Sequence, residues 1–259
     1  PRGLDVAAIE HLDHRSLQLL REDGSDHQHG VSIPDDAAVA LLAQVELPGD
    51  TPISSPEAYA QITDSLKAEA PDTPLTRLSR IVARFGLLDR VEIALPQDRR
   101  RQRQFFDLWE AVPEAVNNRV RAAQRRSSEV SKIAADIIVP FDRFEDSLNV
   151  YRSAFDRYGL DYAIWGHLSD GNVHPNVIPR NADDVGFGRN AMLECGRRII
   201  ALDGCPMAEH GVGRNSVKQT LLRELYGEPG IEQMRQVKLA IDPEWRLAPG
   251  VLFPRWTST

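Results

Sequence analysis

Imidazole, carboxylate and glycine residues crowd two short stretches of this chain. The first runs Gly166-His167-Leu168-Ser169-Asp170-Gly171-Asn172-Val173-His174-Pro175-Asn176, and the second is Glu209-His210-Gly211. Asp-Gly is a strong hairpin signal, because a two-residue type I′ turn needs positive φ at both central positions, which Asx and Gly tolerate. With Asp170 and Gly171 in those positions, Ser169 faces Asn172, Leu168 faces Val173 and His167 stands opposite His174. Directly opposed residues hold their Cβ atoms roughly 4.5–5.5 Å apart on one face of the ribbon. Alternation adds Trp165 and Asn176 to that face. Two imidazoles with an amide beside them are the beginnings of a metal site. The bland alternative is a pair of histidines packed on a half-buried ribbon. The second acid and imidazole pair, Glu209 and His210, favours a site over it.

Other features exclude more than they assign. With 259 residues and 42% hydrophobic content, the chain is long enough for one large or two modest cores. No apolar run approaches the roughly 20 residues that cross a bilayer, and the N-terminus has no signal-peptide pattern. A formal charge of −7 and a pI near 5.5 argue against general nucleic-acid binding. Cys195 and Cys205 lack the paired spacing of a zinc or iron–sulfur motif and read as free thiols in a reducing compartment, which places the chain in the cytoplasm. The run Arg99-Arg100-Arg101-Gln102-Arg103 reads as a charged helix start rather than a phosphate site. His11 and His14 at a strand exit, and His27 and His29 in a polar loop, lack carboxylates at ligand spacing.

The elements that must position the site follow from periodicity and punctuation. Residues 6–11, 37–47, 90–95 and 135–139 read as strands, the last ended by Pro140. Residues 55–68, 99–123, 142–158, 185–202, 215–226 and 231–241 carry helical spacing and helix start or stop signals. Strands interleaved with helices, one pair closed by a tight hairpin, imply an α+β fold: an antiparallel sheet with helices packed on one face.

The hairpin resembles the GHxGDGNxHxN signature of the FAD-linked oxidase C-terminal domain, the substrate cap of D-lactate dehydrogenases, glycolate oxidase flavin subunits and D-2-hydroxyglutarate dehydrogenases. Met207-Ala208-Glu209-His210-Gly211-Val212-Gly213 is similar to that family's second block, SGEHGxG. Lys238, Asp242-Pro243 and Ala248-Pro249-Gly250 match its closing pattern. The resemblance covers most of the chain from about Ile9, strongly after Tyr162.

The resemblance implies a ferredoxin-like cap over residues 1–203 and a C-terminal segment, 204–259, that returns to a flavin domain preceding the cap. The chain opens at Pro1-Arg2-Gly3 with no glycine-rich nucleotide loop, so the expectation is a fragment, inactive alone, whose apolar surface near Val251-Leu252-Phe253 and Trp256 is exposed or captured. The implied function is the cap half of an FAD-dependent 2-hydroxy-acid dehydrogenase, which also needs an electron acceptor. By motif position His167, His174 and Glu209 are metal ligands, His210 is the base and Asn176 contacts substrate. Zinc suits His and carboxylate ligands, with manganese and iron as the other candidates. Gly211 and Gly213 would either let the backbone approach flavin or substrate or simply mark a turn. Successive side chains of extended backbone point to opposite sides, which would send Glu209 to the cation and His210 to the substrate hydroxyl. The parent protein is expected in the cytoplasm, or peripheral to a membrane.

The sequence departs from the family at two positions. The family's carboxylate-gripping Arg and Lys correspond to Trp109 and Ala134 here, with Arg119, Arg125 and Lys132 as candidate substitutes. Ser169 replaces a turn-flanking Gly, where positive φ is not needed. A metal-dependent hydrolase and a catalytically silent metal-binding or scaffolding module remain the alternatives from other classes.

Overall fold

The computed structural model describes residues 4, 6–47, 49 and 53–254. Its backbone contacts divide the chain into two units, residues 1–114 and 115–259. The first unit pairs β1 (Val6–Asp13) with β2 (Val39–Val45) in antiparallel register, His11 opposite Leu41. Asp13 caps the helix that follows, its carboxylate accepting from the Ser16 amide at 2.8 Å. That helix, α1 (His14–Glu22), buries Leu17, Leu19 and Leu20 completely. Three further helices complete this part of the chain: α2 (Ser25–Gln28), α3 (Ser55–Thr63) and α4 (Pro74–Arg84). The basic run opens α5 (Arg99–Gln124), where Arg101 pairs with Glu92 and Arg103 with Asp107, as a solvated face does. The strand expected at 90–95 is absent. A short helical turn ends at Arg90, and Val91 and Ile93 lie exposed, so the apolar pattern there had no face to bury against.

The second unit is built on a four-strand antiparallel array. β6 (Asn172–Val177) is flanked on one side by β5 (Tyr162–His167) and on the other by two short strands, β3 (Ile133–Ala134) and β4 (Ile137–Ile138). One face of this array carries Ile133, Ile137, Ile164, Val173 and Val177. Against it pack Val150, Tyr151, Ala154 and Phe155 of α6 (Phe144–Arg157), with Val185, Met192, Cys195 and Ile199 of α7 (Ala182–Ile200). These helical positions recur at three- and four-residue spacing, the stripe that a helix lays on a sheet. Gly196 of α7 permits the next helix to approach, since a Cβ there would stand 2.2 Å from the Leu221 side chain. That segment, α8 (Ser216–Ile241), is broken at Gly227 (φ 67°, ψ 172°), whose backbone is not helical, so it comprises two helices, as expected at 215–226 and 231–241. The chain is thus of the α+β class, and in its second unit the helices α6 and α7 pack on one face of the antiparallel array.

A second small core holds the C-terminal segment. Val212, Leu222, Ile231, Trp245 and Phe253 are buried together. Phe253 is therefore covered within its own chain, whereas Leu252 is exposed, so of the stretch expected to be open or captured only part is open. Trp256 lies outside the described residues. Both cysteines are free. Among the described residues no helix is long and apolar enough to cross a membrane.

Candidate metal centre and its loop

The turn differs from the two-residue expectation. His167 pairs with Asn172 and Trp165 with His174, leaving four residues, Leu168 to Gly171, in the connection. Leu168–Asp170 form a helical turn, and only Gly171, at φ 73°, has the left-handed backbone; Asp170 does not. The reason lies across the turn. The Val139 amide donates to the Gly171 carbonyl at 3.1 Å, and a Cβ on Gly171 would sit 2.2 Å from the Val139 carbonyl oxygen. The wider turn thus docks on the chain leaving β4, which a tight I′ turn would not reach.

The altered register preserves the chemistry. His167 has a partner two residues away from the expected one, and a two-residue shift leaves side chains on their original face. Trp165, His167, Asn172, His174 and Asn176 consequently still share the face opposite the core. His167 and His174 are now diagonal neighbours, their rings edge-on with centroids 5.4 Å apart.

The second motif arrives by pairing to the segment around β4, which lies on the other flank of β6. Residues Ile138 and Cys205 exchange two backbone hydrogen bonds, at 2.9 and 2.8 Å, and the Ala208 amide donates to the Asp136 carbonyl at 3.1 Å. These bridges carry the bent segment after Cys205 alongside the strand that holds Asp136. Asp136 then captures the loop, its buried carboxylate accepting from the His210 amide at 2.5 Å.

Three imidazoles converge on one carboxylate oxygen. Glu209 Oε1 lies 3.0 Å from His210 Nε2, 3.1 Å from His174 Nε2 and 3.6 Å from His167 Nε2. The ring of His210 stacks on that of His174, with centroids 4.9 Å apart. Glu209 and His210 therefore do not point to opposite sides, because the segment is bent rather than extended. Ligand atoms of Asp136, His174, Glu209 and His210 all lie within 4.8 Å of one another, the spacing of a potential metal-holding group.

Burial grades these groups. His174 is 9% exposed, His167 27%, Glu209 42% and His210 61%. Burial pushes the His174 pKa down to about 4 against the opposing pull of Asp136 and Glu209, so this imidazole is neutral near pH 7, the form that ligates metal. His174 Nδ1 and Asp136 Oδ1 face each other at 3.7 Å, beyond hydrogen-bond range, and both are buried without a partner. Asn172 Oδ1 and Asn176 Oδ1 are likewise buried and unpartnered. Asn176 Nδ2 donates to the His174 carbonyl at 3.0 Å, bracing the strand beneath the ring. Unpaired buried acceptors are costly, and a positively charged or hydrogen-donating group could satisfy them.

Gly211 and Gly213 both have positive φ, 65° and 58°, and nothing within 4 Å of where a Cβ would lie, so their backbone faces open space. Lys218 Nζ donates to the Gly211 carbonyl at 2.8 Å and ties the loop to α8. Asp136 was the residue missed from sequence. Its signal is a lone acid between the apolar residues Ile133 and Ile137, both of which point into the core. Of the two departures, Trp109 lies in α5 and Ala134 in β3, opposite Asn176.

Comparison with known proteins bears on the same residues. The profile of the family described as FAD linked oxidases, C-terminal domain, matches residues 1–252. The mitochondrial D-lactate dehydrogenase [cytochrome] of Kluyveromyces lactis is 30% identical over 148 residues, 57% of this chain and 25% of that protein. The glycolate oxidase subunit GlcD of Bacillus subtilis is 26% identical over 227 residues, 85% of this chain and 47% of its own length. The D-2-hydroxyglutarate dehydrogenase of Pantoea ananatis is 25% identical over 250 residues, 94% of this chain and 22% of its own length. The chain thus spans between about a quarter and a half of the relatives it matches.

Proposed function

This chain belongs to the family of FAD-linked oxidase C-terminal domains, and on that premise we propose that it is the substrate-facing, metal-holding part of an FAD-dependent dehydrogenase of D-2-hydroxy acids. The observation that carries the proposal is the convergence of three imidazole Nε2 atoms on Glu209 Oε1 within 3.6 Å. His167, His174 and Glu209 are the residues that would hold a divalent cation, with zinc the best match and manganese or iron also suited to this donor set. FAD would be held mainly by a separate domain, approached by the open backbone at Gly211 and Gly213, and residues 204–259 would lie towards that domain. When bound, the cation supplies Lewis acidity at the substrate oxygens, and the flavin supplies a hydride-accepting ring.

The remaining work falls to side chains of this chain. His210, the most solvent-open of the three imidazoles, receives the hydroxyl proton on Nε2. Asp136 positions it, through the bond to its amide and with a carboxylate oxygen 3.9 Å from Nδ1. Asn176 offers its unpaired Oδ1 to the substrate. His174, neutral and buried, stays a donor of electrons rather than of protons.

The test uses the longer protein that carries this chain together with its flavin domain. Anaerobic addition of D-lactate, glycolate or D-2-hydroxyglutarate should bleach the flavin absorbance for at least one of them, and a chelator should abolish bleaching without releasing flavin. Retention of full bleaching after verified metal removal would overturn the assignment.

A further inference from the structure

A cavity of about 200 Å³ opens in the second unit beside β3, between α7 and the start of α8. Four cations line it: Lys132, Arg189, Arg214 and Lys218. No carboxylate does. In a chain with 38 acidic against 31 basic residues, that segregation contrasts with arginines elsewhere, such as Arg15, Arg77, Arg90, Arg157, Arg180 and Arg197, which pair with carboxylates. Among the described residues none of the four cations makes a direct ion pair, although the Asp136 carboxylate acts on Lys218 at longer range. Lys132 Nζ donates to Asn117 Oδ1 at 2.9 Å, Lys218 Nζ to the Gly211 carbonyl and Arg214 Nε to the Pro249 carbonyl at 2.8 Å. Those neutral acceptors orient Lys132, Lys218 and Arg214 without a carboxylate in direct contact.

Hydrogen-bond donors join the charge. Ser131 and Ser216 lie in the lining, and α8 begins there with Asn215 as its cap, accepting from the Lys218 amide at 3.1 Å. The amides of Ser216 and Val217 precede the first intrahelical bond, so they have no partner within the helix. Partial positive charge at this helix start adds to that of the four side chains. Burial lowers the pKa values of Lys132 and Lys218, with Asp136 pulling the other way at Lys218.

We propose that this cavity is a binding site for a small oxyanion, a phosphate or carboxylate group, separate from the metal centre. The centre's imidazoles and Glu209 do not line it. The two sites nevertheless meet at Lys218, which holds the loop carrying His210 through the Gly211 carbonyl. Occupation would draw on the same ammonium that anchors that loop.

The experiment is calorimetric titration of the protein with inorganic phosphate and, separately, with malonate, at constant ionic strength in chloride. Binding of either probe is expected, with affinity reduced about tenfold or more in Arg189→Glu and in Arg214→Glu, and kept within about threefold in Arg189→Lys. Both arginines are exposed, so these variants should retain the wild-type melting profile. Phosphate binding alone would identify a free or ester phosphate as the ligand, and malonate binding alone a carboxylate. Titration after chelator treatment should give the same affinity. The proposal fails if neither probe binds, if the charge reversals leave affinity unchanged, or if metal removal abolishes binding.

Discussion

Replacing Gly171 by alanine should cost far more than a loop substitution ordinarily does. Residue 171 has φ 73°, and left-handed backbone costs a residue with a Cβ about 1–2 kcal/mol. The added methyl would stand 2.2 Å from the Val139 carbonyl oxygen, whereas carbon and oxygen atoms in contact settle roughly 3.3–3.6 Å apart. Val139 must therefore retreat by roughly 1 Å, an overpacking strain, and its amide bond to the Gly171 carbonyl weakens as it does so. Together these effects amount to about 3–6 kcal/mol. Gly211 supplies the control. It has nearly the same φ, 65°, but nothing within 4 Å of its Cβ position, so Gly211→Ala should cost only the backbone share, about 1–2 kcal/mol. Urea unfolding of both variants measures the difference, expected near 2–4 kcal/mol. Equal destabilisation of the two would refute the docking of the turn on Val139.

Three further changes separate the roles assigned above. Asp136→Asn keeps an acceptor for the His210 amide but removes the charge beneath the imidazole, so turnover of the flavin-containing parent should fall about 10–100-fold with metal content unchanged; loss of metal instead would make Asp136 a ligand. Asp242 accepts from Lys238 Nζ at 2.5 Å and from the amides of Arg246 and Leu247, and the Lys238 bond is the main cause holding its pKa down to about 2. Its folded pKa lies below the unfolded value, so its stabilisation is present above about pH 4 and disappears as pH falls through about 2; the melting-temperature gap between wild type and Asp242→Asn should close across that window, and a gap independent of pH would exclude the charge as its origin. Phe253→Ala should destabilise by about 3–5 kcal/mol, since the ring is buried against Trp245; a loss below about 1 kcal/mol would return this segment to the exposed surface.

The parts of this molecule legible in its sequence are those governed by local rules. Caps, glycine stops and apolar spacing located α5, α6, α7 and the two halves of α8, and alternation placed Trp165, His167, His174 and Asn176 on one face. What was misread depends on contacts between distant segments. The turn length is set by Val139, more than 30 residues upstream, and nothing between Gly166 and Asn176 encodes that. Asp136 gains its place through bridges to Met207 and Cys205, and the common direction of Glu209 and His210 comes from the bend those bridges impose. Val91 and Ile93 show the converse: residues with strand propensity make no strand when no partner presents an edge. The amphipathic helix α4 was legible but not read: Leu75, Leu78, Ile81 and Val82 recur at helical spacing, Thr73 caps it and Pro74 starts it.

The central claim is that His167, His174 and Glu209 hold a divalent cation while His210 handles the proton. Elemental analysis of the purified chain after equilibration with zinc, manganese or ferrous iron tests it most directly, run alongside His174→Ala, Glu209→Ala and His210→Ala. The expected result is one ion bound per wild-type chain, little or none in His174→Ala and Glu209→Ala, and near-full content in His210→Ala. A wild-type chain that retains no ion, or a His210→Ala chain that emerges empty while Glu209→Ala stays loaded, would contradict it.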